Sequence, residues 1–120
     1  TILLAIIGDM MPERMLPENP LEFIRRCITQ RKIHWTYHVN MRLKGRFIPR
    51  EAIVESIANF EIIEEYPEDK YLPSYLVYSQ YRDIIFHIVI AIDMQWDNVR
   101  IVTAYRPSPE NWKEDSKTRR

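Results

Sequence analysis

His34, His38, Arg42 and Arg46 recur at four-residue intervals within residues 33–46. On a helix, positions i, i+4 and i+8 lie on one face, so these imidazoles and guanidiniums would form a single polar ridge. Imidazole moves a proton near neutral pH, and guanidinium is a planar anion clamp that keeps its charge. Together they are the set needed to act on a phosphodiester without a metal. A solvated basic helix face has the same spacing, so the surrounding elements must decide between the two.

His87 interrupts the apolar run at 84–90. Strand alternation places it with Ile85 and Val89, opposite Phe86, Ile88 and Ile90. An imidazole there needs a partner or water, either as a structural hydrogen-bonding group or as a site residue. In the last apolar run, alternation puts Val99, Ile101, Thr103 and Tyr105 on one face. Arg100, Val102, Ala104 and Arg106 fall on the other. Thr103 and Tyr105 would then offer hydroxyls beside His87, given a suitable register between the two strands.

Other chemistries find little support. His34 and His38 lack the His-Glu-x-x-His arrangement, and the single cysteine, Cys27, rules out a cysteine-based zinc site. Glycine occurs only at Gly8 and Gly45, too sparsely for a phosphate-binding loop. No metal and no cofactor is expected.

The elements that must hold these residues follow from caps and periodicity. Asn19, Pro20 and Glu22 make a helix start, with Leu21, Ile24, Cys27 and Ile28 at helical spacing to about Arg31. Thr36 caps a second helix through Lys44, ended by Gly45. His34 then lies before the helix, and the ridge reduces to His38, Arg42 and Arg46. Pro49 opens a third helix with Ile53, Val54, Ile57 and Phe60 as its apolar stripe. Strands are expected at 61–66, 75–80, 84–92 and 99–105. Helices first and strands after predict an α+β fold, with N-terminal helices packed on one face of a four-stranded antiparallel sheet.

With 120 residues the chain is one domain, assigned to 21–120, with 1–20 as an arm or linker containing Pro12, Pro17 and Pro20. The apolar opening at 1–7 is too short to cross a bilayer and has no basic region before it, so neither membrane association nor a signal peptide is expected. It needs cover from the sheet edge or a partner chain, which makes the arm a candidate for self-association. A reducing cytoplasm suits the lone cysteine.

The net charge of zero hides a segregation. Eight basic and no acidic residues lie between Phe23 and Arg50, ten acidic against two basic between Glu51 and Asp97, and six basic against three acidic from Asn98 onward. A basic front and tail suit a polyanion. Lys44, Arg106, Lys117, Arg119 and Arg120 are therefore candidate RNA contacts. Trp112 is expected to pack the tail on the sheet, with base stacking as the alternative.

Several motifs, in order, resemble the bacterial domain-of-unknown-function 4258 family. They are Thr36-x-His38-x3-Arg42, the run 65–69 before 73–77, Phe86-His87-Ile88-Val89, the run 101–109, and the closing Trp112 and Arg119-Arg120. That family is similar to toxins of the RelE and barnase type. The resemblance implies their helix-on-sheet fold, metal-independent RNA cleavage, and a cognate antitoxin, in some cases a zinc-finger-like one. Carried over residue by residue, it implies a site of His38, Arg42, His87, Thr103 and Tyr105, with Arg46 matching less closely.

Two functions are compatible with this reading. In a toxin-like endoribonuclease, one of His38 and His87 would take the ribose 2′-hydroxyl proton and the other would protonate the leaving 5′-oxygen. Each such transfer contributes about 10²–10⁴-fold. Arg42 and Arg46 would stabilise the charged phosphorane. In a non-catalytic RNA- or protein-binding domain, the arginines hold phosphate and the histidines are structural.

Overall fold

In a computed structural model of the chain, residues 15–46 and 48–120 are described, apart from the side chains of Tyr37, His38, Met41 and Arg42. Most of the expected arm, residues 1–14, lies outside the described residues.

Helix α1 (Pro20–Thr29) starts as its residues dictate. Asn19 accepts the Glu22 backbone N–H at 3.1 Å, and Pro20 occupies the first turn, where no N–H is needed. Its apolar stripe of Ile24, Cys27 and Ile28 is fully buried. Helix α2 (Tyr37–Gly45) is capped by Thr36, whose Oγ1 accepts the Val39 N–H at 3.0 Å, and it sinks Val39 and Leu43 into the core. The expected third helix is divided. Helix α3 (Arg50–Glu55) stops at Ser56, and a short 3-10 turn (Ile57–Asn59) follows. Buried Ser56 bonds Ser79 on the sheet, Oγ to Oγ at 2.7 Å, and Arg25 caps the turn by donating to the carbonyls of Ile57, Ala58 and Phe60.

The sheet has five strands where four antiparallel ones are expected. They are β1 (Ile33–Trp35), β2 (Glu61–Tyr66), β3 (Ser74–Tyr81), β4 (Ile84–Asp93) and β5 (Asn98–Tyr105), in the spatial order β1-β5-β4-β3-β2. β1 runs parallel to β5 and pairs Ile33, His34 and Trp35 with Val99, Arg100 and Ile101. Three residues carry too little alternation to declare a strand. Its existence follows from α1 returning the chain beside β5, where unpaired backbone groups need partners. The α+β class stands, with a mixed rather than an antiparallel sheet.

Alternation in β5 is broken by a bulge. Val89 pairs with Thr103 and Ile90 with Ile101, which leaves Val102 as the extra residue. Val99, Ile101 and Ala104 therefore face the helices and are fully buried, whereas Thr103 and Tyr105 turn to the other face beside Val89 and His87. The expectation that Val99, Ile101, Thr103 and Tyr105 share one face is thus corrected. The helix-side core is completed by Phe86, Ile88, Ile90 and Ile92 of β4 and by Tyr75 and Val77 of β3.

Candidate functional site

The end of α2 is tied to β5 by Arg46. Its Nη1 donates to the Ala104 carbonyl at 2.5 Å and lies 3.5 Å from Thr103 Oγ1. Both acceptors are neutral, so the guanidinium is held without being neutralised. Arg50 behaves alike, with Nε donating to Asn40 Oδ1 at 2.8 Å and its guanidinium 4.7 Å over the Trp35 ring. A hollow of about 500 Å³ lies beside it, lined by Asn40, Leu43, Lys44, Ile48, Pro49 and Arg50. Lys44, Arg46 and Arg50 have no carboxylate at ion-pair distance among the described residues. His38 and Arg42 occupy successive turns of the same helix, and their side chains lie outside the described residues.

His87 sits on the opposite face of β4 from the core and is fully buried under the tail. Its Nε2 is 2.6 Å from the Ser116 carbonyl, an atom that only accepts, so Nε2 carries the proton. Nδ1 is then left to accept from the Tyr105 hydroxyl at 3.4 Å. Trp112 stands edge-on to the imidazole with ring centres 4.5 Å apart. Burial pushes the His87 pKa down, the Ser116 carbonyl opposing it, and burial pushes the Tyr105 phenol up. The result is a neutral, packed imidazole with both nitrogens engaged.

The tail cations hold this cover in place. Lys117 pairs with Glu61 at 2.8 Å and lies 4.7 Å over the Tyr78 ring. Arg119 forks onto Glu64 at 2.6 and 3.0 Å while stacking 4.6 Å over Trp112. Arg120 bonds Glu114 at 3.0 Å and the carbonyls of Pro109 and Trp112. The Arg119 bond holds the Glu64 carboxyl below its ordinary range. Of the expected RNA contacts, only Lys44 and Arg106 are exposed with no carboxylate partner among the described residues.

The structure thus brings Arg46 to Thr103, and Tyr105 to His87, at positions two residues apart on one face of β5. Arg46 reaches β5 at the Ala104 carbonyl, whereas His87 is enclosed by Trp112, Tyr105 and Ser116. Sequence reasoning passes over Asn40, which orients Arg50 and whose ten-residue separation from it signals nothing. It also passes over Arg100, which donates to buried Asp93 at 3.1 Å. No three of His, Cys, Asp and Glu gather to hold a metal among the described residues. Among them, no helix is long and apolar enough to cross a membrane.

The sequence profile of a family described as Domain of unknown function (DUF4258) matches residues 35–106, more than half of the chain. The chain belongs to the DUF4258 family. The match takes in all of α2 through β5, with Arg46, His87, Thr103 and Tyr105 inside it. It ends before Trp112 and the tail cations, so the covering tail is outside the DUF4258 match. No curated protein and no solved structure matches the chain.

Proposed function

We propose that this DUF4258 chain is a toxin-like endoribonuclease that cleaves RNA without a metal, through a face built from α2 and β5, and is neutralised by a cognate antitoxin. The observation that carries the reading is Arg46, pinned to β5 by neutral acceptors, one residue beyond the helix that bears His38 and Arg42. His38 takes the ribose 2′-hydroxyl proton, and the 2′-oxygen attacks phosphorus. The bond from phosphorus to the 5′-oxygen breaks, and the leaving oxygen takes a proton from solvent. Products are a 2′,3′-cyclic phosphate and a 5′-hydroxyl. Arg42 and Arg46 stabilise the charge that develops on the phosphorane, where preorganised donors have their largest effect. Likeness to RelE and barnase toxins belongs to this proposal, as does the antitoxin.

His87 has no proton-transfer role in this form of the mechanism, because Ser116 and Tyr105 engage both ring nitrogens. The same observation favours a second reading, a non-catalytic RNA-binding domain with structural histidines. Incubating labelled single-stranded RNA with the purified chain in excess EDTA separates the two. The nuclease reading expects fragments ending in cyclic phosphate that disappear in a folded His38→Ala variant. RNA that is retarded on a gel but remains intact would overturn it in favour of binding alone.

A further inference from the structure

A second hollow of about 270 Å³ opens where the β2–β3 connection meets β5. Its apolar lining comes from Leu72, Ile101 and Val102, and Val102 is the bulged residue that β5 pushes outward to 47% exposure. Tyr71 stands at its rim, 81% exposed, with the Lys70 ammonium 5.2 Å from its ring centre. An aromatic ring left in water beside an apolar slot is a stacking platform without its second ring. The hollow is smaller than the about 300–1,000 Å³ of sites for drug-sized ligands, a size suited to one planar base.

The polar rim adds a direction. Arg100 is half-exposed and pairs through one Nη with buried Asp93 at 3.1 Å, so it meets a further acceptor as an N–H donor rather than as an unmatched charge. Asp69 also lines the hollow, but its carboxylate accepts from Ser74 Oγ at 2.6 Å and from the Lys70 N–H at 3.1 Å. Those bonds tie the loop that carries Tyr71 to Ser74, the first residue of β3. Thr36 is both a wall of the hollow and the cap of α2. A nucleotide seated here therefore lies at the first turn of the helix that carries His38.

We propose that this hollow is a nucleobase subsite for single-stranded RNA, with the base stacked on Tyr71 over Val102 and an adjoining phosphate on Arg100. It rests on the RNA reading above and gives it a substrate preference. Unpaired RNA is favoured, because a duplex keeps its bases stacked on one another. N–H donors beside an aromatic rim favour a nucleotide over an apolar protein side chain, which would use the slot and ignore the donors.

The test is fluorescence anisotropy of a labelled single-stranded RNA octamer with the full chain, in EDTA and at several salt concentrations. Tyr71→Ala is expected to weaken binding about tenfold or more, the usual loss when a stacking aromatic is removed. Tyr71→Phe, which keeps the ring, is expected to restore it, and the salt dependence should be unchanged in both. Arg46→Ala reports on the underlying RNA reading separately, through a shallower salt dependence. Wild-type affinity in Tyr71→Ala, with Arg46→Ala still impaired, would overturn the subsite alone and leave the hollow to a protein side chain. No binding by the wild-type chain even at low salt would overturn both.

Discussion

The cations of the tail and the cations around α2 meet opposite kinds of acceptor. Lys117, Arg119 and Arg120 each reach a glutamate, at 2.8, 2.6 and 3.0 Å. Arg46 and Arg50 reach a backbone carbonyl and an amide oxygen, and Lys44 reaches no carboxylate among the described residues. A guanidinium on a carboxylate adds little to the field outside the protein, whereas one on a neutral oxygen keeps its full charge. Two groups of three cations thus do different work: the tail is a fastening, and the α2 side is a surface for a polyanion.

The largest expected effect comes from undoing the fastening. Trp112 is 3% exposed and packs on both His87 and Arg119, so Trp112→Ala should cost about 3–5 kcal/mol, as usual for a large buried aromatic. Denaturant unfolding measures it. A loss below about 1 kcal/mol would mean that the tail is not part of the fold's core.

A smaller effect separates the regions by pH. Burial holds His87 below its ordinary value of 6.5, so on acidification the unfolded chain takes up the proton before the folded one does. Stability from this group is therefore complete above pH 6.5 and falls as the pH drops below that value, until the folded-state pKa is reached. Melting temperature followed from pH 7.5 to pH 5 should decline in the wild type more than in His87→Gln. Parallel declines would show that His87 takes up protons equally in the folded and unfolded states.

Much of this was legible from local chemistry. The Asn19-Pro20-x-Glu22 start, the Thr36 cap and β2 at residues 61–66 can be read directly, because caps and alternation act within a few residues. The parallel β1 was not legible, since its reason lies in β5, more than sixty positions away. Nor was the bulge at Val102, because an unbroken alternation of 99–105 is as regular as the bulged one. The fate of Lys117 and Arg119 depended on Glu61 and Glu64, more than fifty residues before them. Charge counts along a chain say which ions are present, and only the fold says which are already paired.

Affinity for a labelled single-stranded RNA against salt concentration, in EDTA, for wild type, Arg46→Ala and Arg119→Ala tells the two groups of cations apart. Each phosphate contact removed should lower the slope of log affinity against log salt by about 0.7 for a single strand. That drop is expected for Arg46→Ala, and an unchanged slope for Arg119→Ala. A drop in Arg119→Ala with none in Arg46→Ala would place the polyanion on the tail and contradict the assignment of the RNA face to α2 and β5.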